Sequence, residues 1–511
     1  MAHSSDSTKS VSDLEKGDSE PVQATVQKEV EEQDEAETRA RSINTGSRKQ
    51  DLHLRPQSTN RSVRSHHSYT DGYSHFGQDG EEKTSVDLAT SHEVQFDGDA
   101  DAYSPKNRSS LSKWLIVIIL AASSMCVTCA SALYTTTYWQ LERDFHISKL
   151  VATVGLTTFV MGLAIGPMIL SPLSEFYGRR AIYLAAFGMF FIWLIPCAVA
   201  PNAATMLVAR FFDGLAGSAF LSVAGGTVGD MFTRETLSMP MMIYTASPFV
   251  GPQLGPVIGG FINQYTDWRW SFYVLLIWAA IQWISIFFFV PETYAPVLLR
   301  RKAVKLRKDT GDESWKAPIE KMDRSVVKRV MWSIVRPFQL LIFEPMCLNL
   351  CMLCAVLLGI LYLFFGAFPL VFGNNHGFQQ WQTGLSFLGI FVGTVIGICS
   401  DVLWRRHYAK LVRNNNGISE PEFRLPPTVI GALLVPVALF GIGNIWCFSG
   451  SFTFLVECYP LYAASALAAN SFARSIFAAS FPLFGVQMYE KLGYQWASSL
   501  LAFIALAMAP A

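Results

Sequence analysis

None of the nine histidines of this chain falls inside an apolar stretch, so haem or metal-oxidase chemistry lacks its usual ligands there. No cofactor is expected, and no phosphate-binding GxxxxGK[ST] run is present to drive work from ATP. Charge is scarce: only 16% of residues are charged, against 51% hydrophobic, which does not suit a soluble enzyme. The 40 basic and 40 acidic residues cancel, and no nucleic-acid partner is expected. A disulfide framework is lacking too, since all nine cysteines sit in apolar segments. Cys347, Cys351 and Cys354 share a helical face, but without a histidine beside them they read as small packing residues. Residues 1–112 have no apolar periodicity, and no apolar run follows Met1 as a signal peptide requires. With about 21 acidic and 13 basic groups in residues 1–110, this segment is expected to be an acidic, disordered cytoplasmic tail whose serines can be phosphorylated.

What is present begins abruptly at Trp114. Apolar spans, each near the roughly 20 residues that cross a bilayer, occur near 114–136, 150–170, 181–200, 204–228, 240–262 and 270–290. More follow near 346–370, 381–403, 426–447, 463–486 and 494–511. Residues 292–338 carry twelve basic groups, about double their acids, whereas Gly373–Gln380 has neither Lys nor Arg. The positive-inside rule puts the basic interval and the N-terminal tail in the cytoplasm. The chain therefore divides into the tail 1–112, a first bundle 113–291, a cytoplasmic loop 292–338 and a second bundle 339–511. The expected fold class is an all-α polytopic membrane protein of about eleven spans, in contact with the lipid bilayer.

The fifth span is the least ordinary of these. It contains Ser247-Pro-Phe-Val-Gly-Pro-Gln-Leu-Gly-Pro-Val-Ile-Gly-Gly260. Gly251, Gly255 and Gly259 recur every four residues, which clears one helical face for the close approach of another backbone. Pro252 and Pro256 each remove a backbone donor, and the freed carbonyls need new partners within the membrane. Together with Gly260, this run resembles the antiporter signature in the fifth transmembrane helix of drug/proton exporters of the major facilitator superfamily.

Other stretches resemble that superfamily as well. Gly166-Pro-Met-Ile-Leu-Ser-Pro-Leu-Ser-Glu-Phe-Tyr-Gly-Arg-Arg180 resembles its cytoplasmic loop motif, with Glu175, Gly178, Arg179 and Arg180 in the key places. Basic residues there are expected to pair with an acid on the facing bundle and to act as a cytoplasmic gate. A weaker echo, Asp401 followed by Arg405 and Arg406, stands at the equivalent place in the second half and points to an internal repeat. In the fourth span Arg210 and Asp213 are three apart and share a face. Ionisable groups inside a span point to function. Arg210 matches the arginine of the superfamily's fourth-helix motif, which implies a part in proton coupling with Asp213 as the carrier; a structural pair is the competing reading. Asn470 and Arg474 in the eleventh span are candidates for cavity or inter-half contacts, Arg474 as the partner of an acid across the halves. Pro291-Glu-Thr-Tyr294 adds to a likeness to the fungal drug/proton antiporter branch, which includes multidrug and polyamine exporters.

That resemblance implies two six-helix bundles, a non-enzymatic, monomeric transporter in the plasma membrane, and antiport of protons against amphipathic or cationic organic compounds. Uptake by symport and a transporter-like sensor that uses the tail are the alternatives. The sequence departs from the pattern between Pro426 and Pro460, where about 34 residues must supply two spans that need about 40. The ninth and tenth helices are therefore expected to be incomplete together. A full twelve-span version is expected to need roughly 25–35 more residues between Leu439 and Phe454, and an extension past Ala511 that ends in basic residues.

Overall fold

A computed structural model describes residues 94–96, 101 and 103–508, apart from 234–235, 318–319, 321–325, 416, 436–439 and 460–462. Helix α1 (Ser110–Leu133) starts on a Ser109 cap and continues through a short 3-10 turn into α2 (Tyr138–Phe145). Then come α3 (Lys149–Tyr177), α4 (Arg179–Ala198), α5 (Ala203–Gly217), its continuation α6 (Ala219–Met231), α7 (Ser238–Tyr265) and α8 (Arg269–Phe289). These make the first half. Two helices link it to the second: α9 (Ala295–Thr310), which ends at Gly311 in a left-handed conformation, and α10 (Val326–Phe343). The second half holds α11 (Pro345–Phe368), α12 (Gln380–Ser386), α13 (Leu388–Cys399) and α14 (Asp401–Asn414). It is completed by α15 (Pro426–Leu434), α16 (Phe440–Cys458), α17 (Ala463–Leu492) and α18 (Tyr494–Ala507). Among the described residues seven helical stretches are long and apolar enough to cross a membrane. The proline-rich α7, at 28 residues, and α17, at 30, have the length as well.

The expected shortfall in the second half takes a definite form. Helix α15 has only nine residues and packs antiparallel on α16. The Phe440 ring lies 5.2 Å from that of Phe364, and Gly441 touches the carbonyl of Ile390. The two ends of the pair are tied at the inner side, where Arg424 bonds Glu457 at 2.9 Å and the Tyr459 hydroxyl donates to Glu344. Helix α16 runs unbroken through the place where extra residues were expected. A re-entrant hairpin returns the chain to its starting side, so α17 runs parallel to α11 with no added crossing.

Two connections on the outer side are tied into the bundle. Gln140 is buried and donates to the carbonyls of Asn263 and Thr266 at 2.9 and 3.0 Å. Trp268 is wholly buried and donates to Asp144, while Trp270 is exposed. The tail before Val94 lies outside the described residues. Its last segment packs on α9: Val94 joins Ala303 and Ala317 in a small core, and Lys302 pairs with Asp101 at 2.7 Å.

Candidate functional site

Arg210 and Asp213 are both fully buried on α5, with Nη1 of the arginine 3.3 Å from Oδ2 of the aspartate. Nη2 donates to the carbonyl of Ala130 on α1 at 3.2 Å. The guanidinium also lies over the rings of Phe159 and Tyr134, 4.0 and 4.8 Å from their centres, where the ring quadrupoles favour a cation. A cation that deep is tolerated only with such partners. Oδ1 of Asp213 has none. Ion pair, carbonyl and rings all belong to the first half.

The glycine stripe of α7 faces α1. A side chain at Gly251 would run into Thr128 and the carbonyl of Met125, one at Gly255 would lie 2.8 Å from Cβ of Ala132, and one at Gly259 would strike Thr136. The steps 128, 132 and 136 on α1 mirror 251, 255 and 259 on α7, so the two helices run parallel in register. Pro248, Pro252 and Pro256 all lie within α7. Pro248 leaves the carbonyl of Tyr244 without its helical donor, and the Ser247 hydroxyl supplies one at 2.8 Å. Gly260 instead faces the second half: a side chain there would come 2.9 Å from the carbonyl of Gln380, while Gly384 packs on the backbone of Pro256. Nearby, Gln380 bonds Gln264 and Thr136, and the Phe261 ring tilts over Trp381 at 5.7 Å. Further in, Gln253 donates to Thr394 at 2.8 Å, Ser131 meets the Tyr362 hydroxyl at 3.0 Å, and Thr157 donates to the carbonyl of Ala479 at 2.9 Å.

At the inner end of α3, Gly178 has φ +90°, a conformation that excludes most side chains, and the Glu292 carboxylate fills the space where a Cβ would stand. Glu292 is the organising residue here, and the sequence reading did not single it out. Its oxygens accept the backbone N–H groups of Arg179, Arg180, Thr293 and Tyr294 at 2.9, 3.3, 3.1 and 3.0 Å. An anion at the start of α4 also suits the helix dipole. The signal for it was an acid directly after an apolar span. Arg179 pairs with Asp230 at 3.4 Å, donates to the Ser174 hydroxyl at 2.6 Å and stacks on Tyr294. Arg180 donates to the carbonyl of Phe287. In this conformation their bonds hold α3, α4, α6 and α8 of one half together, and the pairing across to the facing bundle expected of the closed cytoplasmic side stays a proposal. Glu175 lies half-buried one turn earlier, on the helix against which α10 packs. In the second half Asp401 pairs with Arg405 on the same helix at 2.8 Å, and Arg406 is exposed.

Asn470 and Arg474 are both buried on α17. The acid expected opposite Arg474 is not there among the described residues: the ionisable groups in its reach are Cys354, Tyr244 and Tyr362.

Residues 120–438 match the family model of the Major Facilitator Superfamily. The chain belongs to that superfamily. This facilitator is 54% identical over 445 residues to "Efflux pump atB" of Aspergillus terreus, covering 82% of this chain and 86% of that one. It is 39% identical to "Probable drug/proton antiporter YHK8" of Saccharomyces cerevisiae, over 82% of this chain and 87% of the relative. Among solved structures the human organic anion transporter MFSD10 superposes with a TM-score of 0.53 at 15% identity, over 78% of this chain and 98% of that one. The facilitator fold is thus shown, and with it a multi-pass, non-enzymatic membrane transporter of the fungal efflux-pump and drug/proton antiporter branch.

Proposed function

We propose that this facilitator is a proton-coupled exporter of the plasma membrane, working as a monomer that moves an amphipathic organic compound outward as protons move inward. The observation that carries this is the Arg210–Asp213 pair: a carboxylate sealed in the first half, with one oxygen bonded to the guanidinium and the other free. Protonation of Asp213 releases Arg210 from its ion pair, and deprotonation restores it. Because α1 helps to hold that arginine, the change is felt by the helix on which α7 packs. The names of the fungal relatives support the direction, and one of them names the proton. Contacts of α7 with α12 and of α3 with α17 close the outer side in this conformation, which fits one stage of alternating access.

Everted vesicles with an imposed pH gradient test the proposal. A panel of polyamines, azoles and organic acids should include compounds that accumulate only while the gradient lasts. Asp213→Asn should reach the membrane and lose that gradient-driven movement, because an amide of equal size packs but carries no proton. Wild-type exchange by this variant at every pH would remove Asp213 from the mechanism.

A further inference from the structure

Arg474 retains only 8% of its surface and stands where α17 meets α11 and α16. Its reach extends to Tyr244 of α7, so it also faces the first half. The Phe452 ring is 5.5 Å from its guanidinium carbon. Neither tyrosine is at its disposal: the Tyr362 hydroxyl is bonded to Ser131 and that of Tyr244 donates to the carbonyl of Phe220. One turn earlier on the same face Asn470 is wholly buried, and neither of its side-chain polar atoms has a hydrogen-bond partner. Across from it, on α16, the hydroxyl of fully buried Ser451 is likewise unpartnered. Among the described residues only thiols stand beside these groups: Cys354 faces Asn470 and Ser451, and Cys351 faces Asn470, at longer range than a full hydrogen bond.

A buried guanidinium without a counter-ion among the described residues, beside an amide and a hydroxyl that face only thiols, is a costly arrangement for packing alone. In a membrane it marks a site that a ligand completes. Donors predominate, no carboxylate stands near among the described residues, and the Phe452 ring at 5.5 Å suits an apolar body. We propose that Arg474, with Asn470 and Ser451, binds the carboxylate of an amphipathic organic acid, so that the cargo is an anion and not the cationic compound the sequence suggested. The guanidinium takes the carboxylate as a two-pronged donor, and Asn470 and Ser451 complete its hydrogen bonds. This rests on the exporter reading for the fate of the ligand, but the binding step stands apart from it.

The test is binding to the purified full-length chain in neutral detergent, followed by titration with 1-naphthoate, its methyl ester and the cation rhodamine 6G. Naphthoate should bind at least tenfold more tightly than the ester or the cation. Arg474→Gln should lower its affinity at least tenfold, and Arg474→Lys should recover part of the loss. Equal binding of ester and acid, tighter binding of rhodamine 6G, no binding of naphthoate, or an undiminished Arg474→Gln would each overturn the proposal. Should Arg474→Gln fail to fold, the comparison of acid with ester on the unaltered chain decides. Naphthoate binding without gradient-driven transport of any compound would overturn the exporter reading and leave the anion site standing.

Discussion

In the first half, Arg210 has an aspartate, a backbone carbonyl and two aromatic faces, and Glu292 collects four backbone N–H groups. In the second half, Arg474 has no acid among the described residues, and the side chains of Asn470, Asn444 and Ser451 keep polar atoms without close hydrogen-bond partners. Both arginines lie deep among helices, so depth alone does not distinguish their tasks. What distinguishes them is that Arg210 has an acid, Asp213, bonded to it and Arg474 has none among the described residues. The first half is assembled around its charges; the second holds one in readiness.

That contrast is sharpest in stability. Arg210→Met strands the Asp213 carboxylate, which should cost about 3–5 kcal/mol and appear as a lowered unfolding midpoint or lost membrane protein. The double change Arg210→Met with Asp213→Leu should restore folding without restoring exchange. Arg474→Met should leave the midpoint unchanged or raise it, since it strands nothing; a loss as large as that of Arg210→Met would erase the distinction.

A smaller effect is expected at the α1–α7 seam. Gly255→Leu puts a branched side chain where Cβ of Ala132 lies, at a cost of about 1–3 kcal/mol, and should yield inserted protein with lost or leaky exchange in vesicles. Undisturbed coupling would show that this seam takes no part in the cycle. Smaller again, Glu292→Gln weakens charge-assisted bonds at the start of α4 and should cost about 1–2 kcal/mol. Faster amide exchange confined to Arg179, Arg180, Thr293 and Tyr294 is the expected signature, and unchanged exchange would remove Glu292 as the organiser of that corner.

The smallest effect lies in the linking segment. Burial pushes the Glu320 carboxyl up, but bonds from Arg307 and the Ala317 N–H, with the charges of Arg307 and Arg300, outweigh it and hold it below its ordinary value of 4.5. A carboxyl depressed on folding stabilises the segment above its unfolded pKa, and that contribution fades as pH falls through the lower folded value. Limited proteolysis near Thr310 should therefore quicken at acid pH in the native chain and show no such pH dependence in Glu320→Gln.

The sequence made the parts that rest on spacing and composition readable. The spans, the basic linkers and the four-residue glycine period of α7 all carry their own periodicity, and the structure places that period against α1 in register. Bonds between distant segments were harder to see. Nothing local to Gln140 says that it will donate to Asn263 and Thr266, and nothing in Arg179 selects Asp230 over an acid in the other half. The charge of Arg474 was visible, but the lack of an acid around it belongs to the packing of α7, α11, α16 and α17. The shortage near Pro426 was legible as a length; its resolution as a hairpin depended on Arg424 and Glu457 meeting at the inner side.

That hairpin has a consequence for how the protein is made. During synthesis an ordinary pair of crossings requires a polar loop to be threaded through the translocon to the far side. Among the described residues, 426–434 and 440–458 are helical, and the two ends of the pair are held together by Arg424 and Glu457 on the side where the ribosome stands. The pair can wait at the inner surface and slide into place after α17 has entered, so this part of the second half can be inserted out of order with its synthesis.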